Sequence, residues 1–190
     1  MRILMIGNSF TYYNDMPRIL SAMLGEEVVS FTRGGAYLSA HLDAEDEMYQ
    51  PTHKALAEEK WDYVILQEQS NAPMTKREAF RESAKGLCDL IHQNGAKPLF
   101  YATWAYKDGT EKLASMGVGY DEMLQGLYDS YHAAAESNHA LIADVGLAFR
   151  DVRDIVELYC EDAFHPSPAG SVLAAATIAA VIRKDANKGE

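Results

Sequence analysis

At 190 residues, with 48% hydrophobic and 24% charged side chains, the chain has the size and composition of one globular domain with a sizeable core. Its formal net charge of −11, with Arg and Lys scattered rather than clustered, excludes a nucleic-acid-binding surface, because that affinity rests on neutralised phosphates. Two cysteines, Cys88 and Cys160, are too few for a disulfide framework and read as packing residues.

Five short apolar runs read as strands: Arg2–Ile6, Glu27–Phe31, Tyr63–Leu66, Pro98–Thr103 and Ala140–Val145. They are continuous rather than alternating, as in parallel strands covered on both faces. After the first run, Asn14 or Asp15 is placed to cap a helix that tolerates Pro17 in its first turn and closes at Gly25. After the third, Lys76–Gln93 puts Phe80, Ala84, Leu87 and Ile91 on one helical face before an Asn94-Gly95 stop. Asp121–Glu136 repeats that pattern with Leu124, Leu127, Tyr128 and Tyr131, and a last helix spans about Pro168–Arg183. Strands alternating with helices imply right-handed crossovers and a parallel sheet between helical layers. One domain over residues 1–184 is expected, with 185–190 a polar tail that frays.

Met1-Arg2 runs straight into Ile3-Leu4-Met5-Ile6, too short for the apolar core of a signal peptide and without a small-residue cleavage site. No apolar run approaches the ~18 residues that span a bilayer. A cytoplasmic protein with no membrane partner is expected, although a chain whose leader had been removed would read the same.

Ligands of such a sheet bind beyond the carboxyl ends of its strands. Ser9 ends the first strand, Gly34-Gly35 follow the second, and Gln67-Glu68-Gln69-Ser70-Asn71 follow the third. Thr103-Trp104-Ala105-Tyr106 end the fourth, and Asp162 and His165 precede the last helix. Ser9 beside an imidazole is an activated nucleophile, and a carboxylate three residues before His165 can accept from Nδ1–H and leave Nε2 to take the serine proton. Taken alone, each is equally an ordinary turn: Ser after Asn bonds locally, and Asp162 caps a segment against which His165 packs. Charge developing on an acyl oxygen needs fixed donors, for which the N–H groups of Ser9 and Gly35 and an amide from Gln67, Gln69 or Asn71 are available.

Further pocket candidates are His41, one or two helical turns after Gly34-Gly35, and the aromatics Trp104, Tyr106 and Tyr12. Each aromatic, and Tyr13 next to Tyr12, is either core packing or a stacking wall for a sugar ring or acyl chain. The acidic run Asp43–Glu47 reads as a solvated loop, no ligand spacing defines a metal site, and no cofactor is expected.

Four blocks in order resemble the SGNH (GDSL-like) hydrolase superfamily: Ile6-Gly7-Asn8-Ser9-Phe10, Gly34-Gly35-Ala36-Tyr37-Leu38, Leu66-Gln67-Glu68-Gln69-Ser70-Asn71 and Asp162-Ala163-Phe164-His165. The resemblance covers nearly the whole chain. It implies a flavodoxin-like α/β/α sandwich with a five-stranded parallel sheet, a Ser9–His165–Asp162 triad, and an oxyanion hole from Ser9, Gly35 and an amide of the third block. Two blocks depart from the superfamily pattern. The serine block has Asn8 where Asp is usual, and the third block lacks the glycine of Gly-x-Asn-Asp. Counting along the third block puts Asn71 at the superfamily asparagine. The run is also similar to the Gln-Gly-Glu-Ser-Asn of sialate-O-acetylesterase-like carbohydrate esterases, which favours Gln67 as donor and keeps Asn71 as its rival.

The resulting expectation is a serine esterase cleaving a small acyl group, such as acetyl, from a carbohydrate, with activity falling as pH drops through an imidazole titration, ~6.5 for a free side chain. Acyl-thioester or lysophospholipid hydrolysis on the same triad is the near alternative. A metal-dependent phosphoesterase and a catalytically silent carbohydrate-binding module are the more distant ones. The oligomeric state is not legible in the sequence.

Overall fold

A computed structural model describes residues 1–188. Strands β1 (Arg2–Gly7), β2 (Glu27–Thr32), β3 (Tyr63–Leu66), β4 (Lys97–Ala102) and β5 (Leu141–Asp144) form one sheet in the order β2-β1-β3-β4-β5, all parallel. Each strand ends within one residue of the apolar run that predicts it. Burial on both faces holds for the three central strands, whereas β2, on one edge, is half-buried or exposed along its length.

Successive side chains of a strand point to opposite faces, so β1 feeds two cores. Ile3 and Met5 join Ile65, Leu99 and Tyr101 under α2 (Met16–Leu24), α8 (Val145–Val152) and α9 (Pro168–Ala186). Leu4 and Ile6 join Val64, Leu66 and Phe100 under α3 (Tyr49–Glu58) and α5 (Arg77–Asn94). The first half of α7 (Tyr120–Ser137) packs into the former core and its second half into the latter. The layers are helix, sheet, helix, as the alternating elements predict.

The caps divide. Gly95 closes α5 in the left-handed conformation at φ 89°, bonding back to the carbonyls of His92 and Ile91. At the start of α2 the expected Asn or Asp side-chain cap is absent. Asn14 and Asp15 are instead both left-handed, at φ 54° and 55°, turning the chain sharply before Pro17 enters the first helical turn. The last helix runs past Arg183 to Ala186, held there by Asp185, which accepts from Tyr63 Oη at 2.8 Å and Lys97 Nζ at 2.7 Å. The expected frayed tail is thereby shortened, and its end, residues 189–190, lies outside the described residues. Among the described residues no helix is long and apolar enough to cross a membrane.

From β1 the chain steps to β2 on one side and then to β3 on the other. The order in which the chain adds strands thus reverses between β1 and β3, and a crevice opens at their carboxyl ends. Ser9 and the third sequence block sit there.

Candidate active site

Gly7 ends β1 because nothing larger fits: a β-carbon there would lie 2.6 Å from Thr11 Oγ1 and 2.7 Å from Gln67 Oε1. Asn8, buried, then caps the short helix α1 (Ser9–Tyr12). Its Oδ1 accepts from Phe10 N–H at 3.1 Å, while its Nδ2 donates to Ala36 O at 3.0 Å. An aspartate could make only the first of these bonds, so Asn8 fastens the serine turn to the glycine turn. Ser9 follows as the first residue of α1, where its N–H has no intrahelical acceptor.

The histidine arrives on a loop pinned at several points. Tyr159 and Pro166 form an isolated antiparallel bridge, Cys160 N–H donates to His165 O at 2.8 Å, and Lys107 N–H to Ala163 O at 2.8 Å. Asn14, projecting from the left-handed turn, donates to both Pro166 O and Ser171 Oγ at 2.9 Å. This clamps the segment after the serine onto the segment after the histidine.

The result is a continuous relay. His165 Nε2 lies 2.8 Å from Ser9 Oγ, and Nδ1 lies 2.6 Å from Asp162 Oδ2. Because the carboxylate can only accept, the proton belongs on Nδ1 and the Nε2 lone pair faces the serine hydroxyl. Asp162 Oδ1 also accepts the N–H groups of Phe164 and His165, at 3.1 and 2.9 Å. Burial alone would raise the pKa of Asp162, but bonds from the His165 ring and those two N–H groups outweigh it and hold the carboxyl below its ordinary value. Tyr13 stacks on the imidazole, with centroids 4.2 Å apart and planes 7° from parallel.

The relay opens into a cleft of about 340 Å³. Gly35, at φ 70° in a turn closed by Ala36 N–H to Arg33 O, reaches its edge, and its N–H meets no acceptor among the described residues. Asn71 lines the cleft with Ser70 and Tyr106, whose hydroxyls lie 2.8 Å apart. Ser9, Gly35 and Asn71 thus line the space in front of Ser9, and Asn71 Nδ2, which carries two hydrogens, spends one on Met116 Sδ at 3.3 Å.

Gln67 is not a donor to this space. It is fully buried beneath the serine turn, where Oε1 accepts from Asn8 N–H at 3.0 Å and Thr11 Oγ1 at 2.9 Å and Nε2 bonds to Glu68 O. Gln67 directly continues β3 under the serine turn, whereas the turn over Ser70 and Asn71, closed by Ala72 N–H to Gln69 O at 2.9 Å, leads into α4 (Ala72–Thr75) and carries Asn71 to the cleft. Glu68, also buried, bonds the N–H groups of Leu38 and Gln69 through Oε1 and ties the glycine loop to the third block.

Three of the four further candidates also fall outside the cleft. His41 is fully buried with Nδ1 2.7 Å from Thr52 Oγ1, and burial pushes its pKa down to about 4. Trp104 is sandwiched between Phe10 and Phe149, at 4.7 and 4.1 Å between centroids, and its Nε1 donates to Phe164 O. It is core, shaping the site only through Phe10 and Phe164. Tyr12 is exposed and stands beside Gly34 rather than along the cleft. Tyr106 alone lines it. In the acidic run, Asp46 pairs with Arg33 at 2.7 Å. No group of three or more His, Cys, Asp or Glu among the described residues is placed to hold a metal ion.

Sequence reasoning missed the clamping role of Asn14, and Phe164 and Lys112 altogether. Phe164 could have been found within the histidine block. The other two act through contacts with residues remote in sequence and carry no local signal.

No protein-family model and no curated protein matches the chain. Solved structures do. Acetylxylan esterase Axe2 from Geobacillus stearothermophilus matches at a TM-score of 0.69 and 18% identity, covering 95% of this chain and 93% of that one. TesA matches at 0.72 and 15%, covering 97% and 99%. These two speak for the fold alone. A candidate SGNH hydrolase from Slackia heliotrinireducens is 42% identical with a TM-score of 0.92, over 96% of this chain and 98% of that one. With that identity along nearly the full length of both chains, and with the serine, glycine and histidine blocks gathered at one sheet edge, this protein belongs to the SGNH hydrolase family.

Proposed function

We propose that this SGNH hydrolase is a serine esterase that removes a small acyl group, such as acetyl, from a carbohydrate through a Ser9 acyl-enzyme. The observation that carries the reading is the unbroken Asp162–His165–Ser9 hydrogen-bond relay opening onto a cleft with free backbone donors.

The ester carbonyl oxygen lies among Ser9 N–H, Gly35 N–H and Asn71. Ser9 Oγ attacks the carbonyl carbon and its proton passes to His165 Nε2, while Asp162 stabilises the imidazolium. The tetrahedral species collapses as Nε2 returns the proton to the departing alcohol. Water then attacks the acyl-enzyme with His165 again as base, releasing the acid and restoring Ser9. Both steps need a neutral imidazole, so activity falls as acid protonates it.

Two features support a small acyl group and a polar alcohol. The cleft is small, about 340 Å³, and polar Asn8, Gln69, Ser70 and Asn71 line it alongside the rings of Phe10, Tyr106 and Phe164. The fold likeness to an acetylxylan esterase agrees with this reading.

A panel of acetylated sugars and p-nitrophenyl esters of rising chain length, with Ser9→Ala as control, tests it. Hydrolysis of acetyl esters that vanishes with Ser9 is expected. A steep rise in rate with chain length would replace the carbohydrate assignment with thioesterase or lysophospholipase chemistry.

A further inference from the structure

We propose that the substrate carries a carboxylate close to its scissile ester, and that Lys112 receives it. This deepens the esterase reading and rests on it.

The chain carries a formal net charge of −11, yet no carboxylate lines the cleft, and Lys112 is the only lysine or arginine along it among the described residues. Lys112 sits on the short helix α6 (Glu111–Ala114). Thr110 caps that helix, its side chain accepting from Leu113 N–H, and buried Leu113 anchors it.

The ammonium is held over two aromatic faces, 4.2 Å from the Phe164 centroid and 5.0 Å from that of Tyr106. Phe164 immediately precedes His165, and Tyr106 lines the same cleft as Ser9. Neighbouring cations behave differently. Lys107 pairs with Glu157 and Arg153 with Asp108, whereas Lys112 has no carboxylate within ion-pair distance among the described residues. The ammonium of this half-buried lysine rests on rings with its hydrogen-bond donors free of any carboxylate among the described residues, and a ligand carboxylate completes it.

The plain alternative is that the lysine stem only covers apolar surface and the head serves solubility. On that view a substrate's charge has no bearing on its rate. If Lys112 receives a carboxylate, the substrate class is an ester of an acidic compound, such as an acylated uronic acid or a half-ester of a diacid.

Two arms separate these sources. The first compares ortho-, meta- and para-carboxyphenyl acetate with their carboxamide counterparts, placing the charge on the alcohol side. The second compares phenyl hemisuccinate with the phenyl ester of succinamic acid, placing it on the acyl side. The quantity read is the ratio of kcat/KM for the charged ester to that for its neutral partner. For wild type this ratio should reach about tenfold in one arm, the worth of a charge-assisted hydrogen bond. It should shrink with added salt. It should fall to near one in Lys112→Met and persist in Lys112→Arg.

A variant that is merely damaged loses both esters alike and leaves the ratio standing. A wild-type ratio near or below one in both arms, or a preference that survives Lys112→Met, overturns the proposal while leaving the esterase reading intact. Equal rates for wild type and Ser9→Ala on every ester would overturn the esterase reading and this proposal with it.

Discussion

Tyr13 lies flat on His165, with ring centroids 4.2 Å apart and planes 7° from parallel. Phe164 and Phe10 contact other sides of the same imidazole, at 4.1 and 5.6 Å between centroids. The ring is therefore set by aromatic packing as well as by Asp162. An electron-rich face is also a favourable neighbour for the imidazolium that the proposed mechanism forms on His165.

Tyr13 acts through His165 and is a positioning residue. Tyr13→Leu should lower kcat about two- to fivefold with little change in KM, the worth of an exposed to partly buried cation–π contact. Tyr13→Phe keeps the stack and should restore kcat. Steady-state kinetics of the two variants check this, and equal losses in both would remove the ring from the account.

Gln67 and Asn71 should separate cleanly. Asn71 borders the cleft, so Asn71→Ala should reduce kcat by about 10²–10³, the usual cost of one oxyanion donor, while leaving the melting temperature nearly unchanged. Gln67→Leu strands the buried Asn8 N–H and Thr11 hydroxyl, and should destabilise the fold by about 2 kcal/mol or more. For a chain of this size that is a fall of roughly 5 °C or more in Tm. The reverse pattern would return the oxyanion role to Gln67.

Glu68 gives the fold a pH dependence of known sign. Burial raises its pKa from 4.5 to about 7, against the N–H groups of Gln69 and Leu38 and the charge of Lys76, which lower it. Between those values the folded chain holds a proton that the unfolded chain has released, so this group's contribution to stability is lost as pH rises through the window. Glu68→Gln removes the titration and should gain on wild type by up to ~3 kcal/mol between about pH 4.5 and pH 7. His41, lowered to about 4, works the other way, losing stability as pH falls from 6.5, but it is common to both proteins and cancels in the difference. Urea unfolding of the two proteins across that range measures the effect, and parallel pH curves would contradict it.

The sheet was legible because central parallel strands are apolar on both faces, and Ile3–Ile6, Val64–Leu66 and Leu99–Ala102 are buried accordingly. The Asp162–His165 spacing was legible because a tight turn brings those two side chains together wherever it sits. What failed were choices of direction. Gln67 and Asn71 offer the same amide at positions that strand alternation would put on one face, and only the turn over Ser70 and Asn71 brings the second to the cleft. Trp104 and Tyr106 are two residues apart, yet only the second lines the site, because Phe10 and Phe149 enclose the first. Asn14 looked like a helix cap. Its left-handed backbone turns it instead toward Pro166 and Ser171, partners that no local pattern reveals.

The proposed reaction turns on Ser9 as a nucleophile activated by His165, and intact-mass analysis with peptide mapping after fluorophosphonate treatment reads this at the residue itself. The expected outcome is one covalent adduct, on Ser9, with parallel loss of esterase activity, no adduct in Ser9→Ala, and labelling slowed by orders of magnitude in His165→Ala. Stoichiometric labelling at another residue, or ester hydrolysis by Ser9→Ala at the wild-type rate, would contradict it.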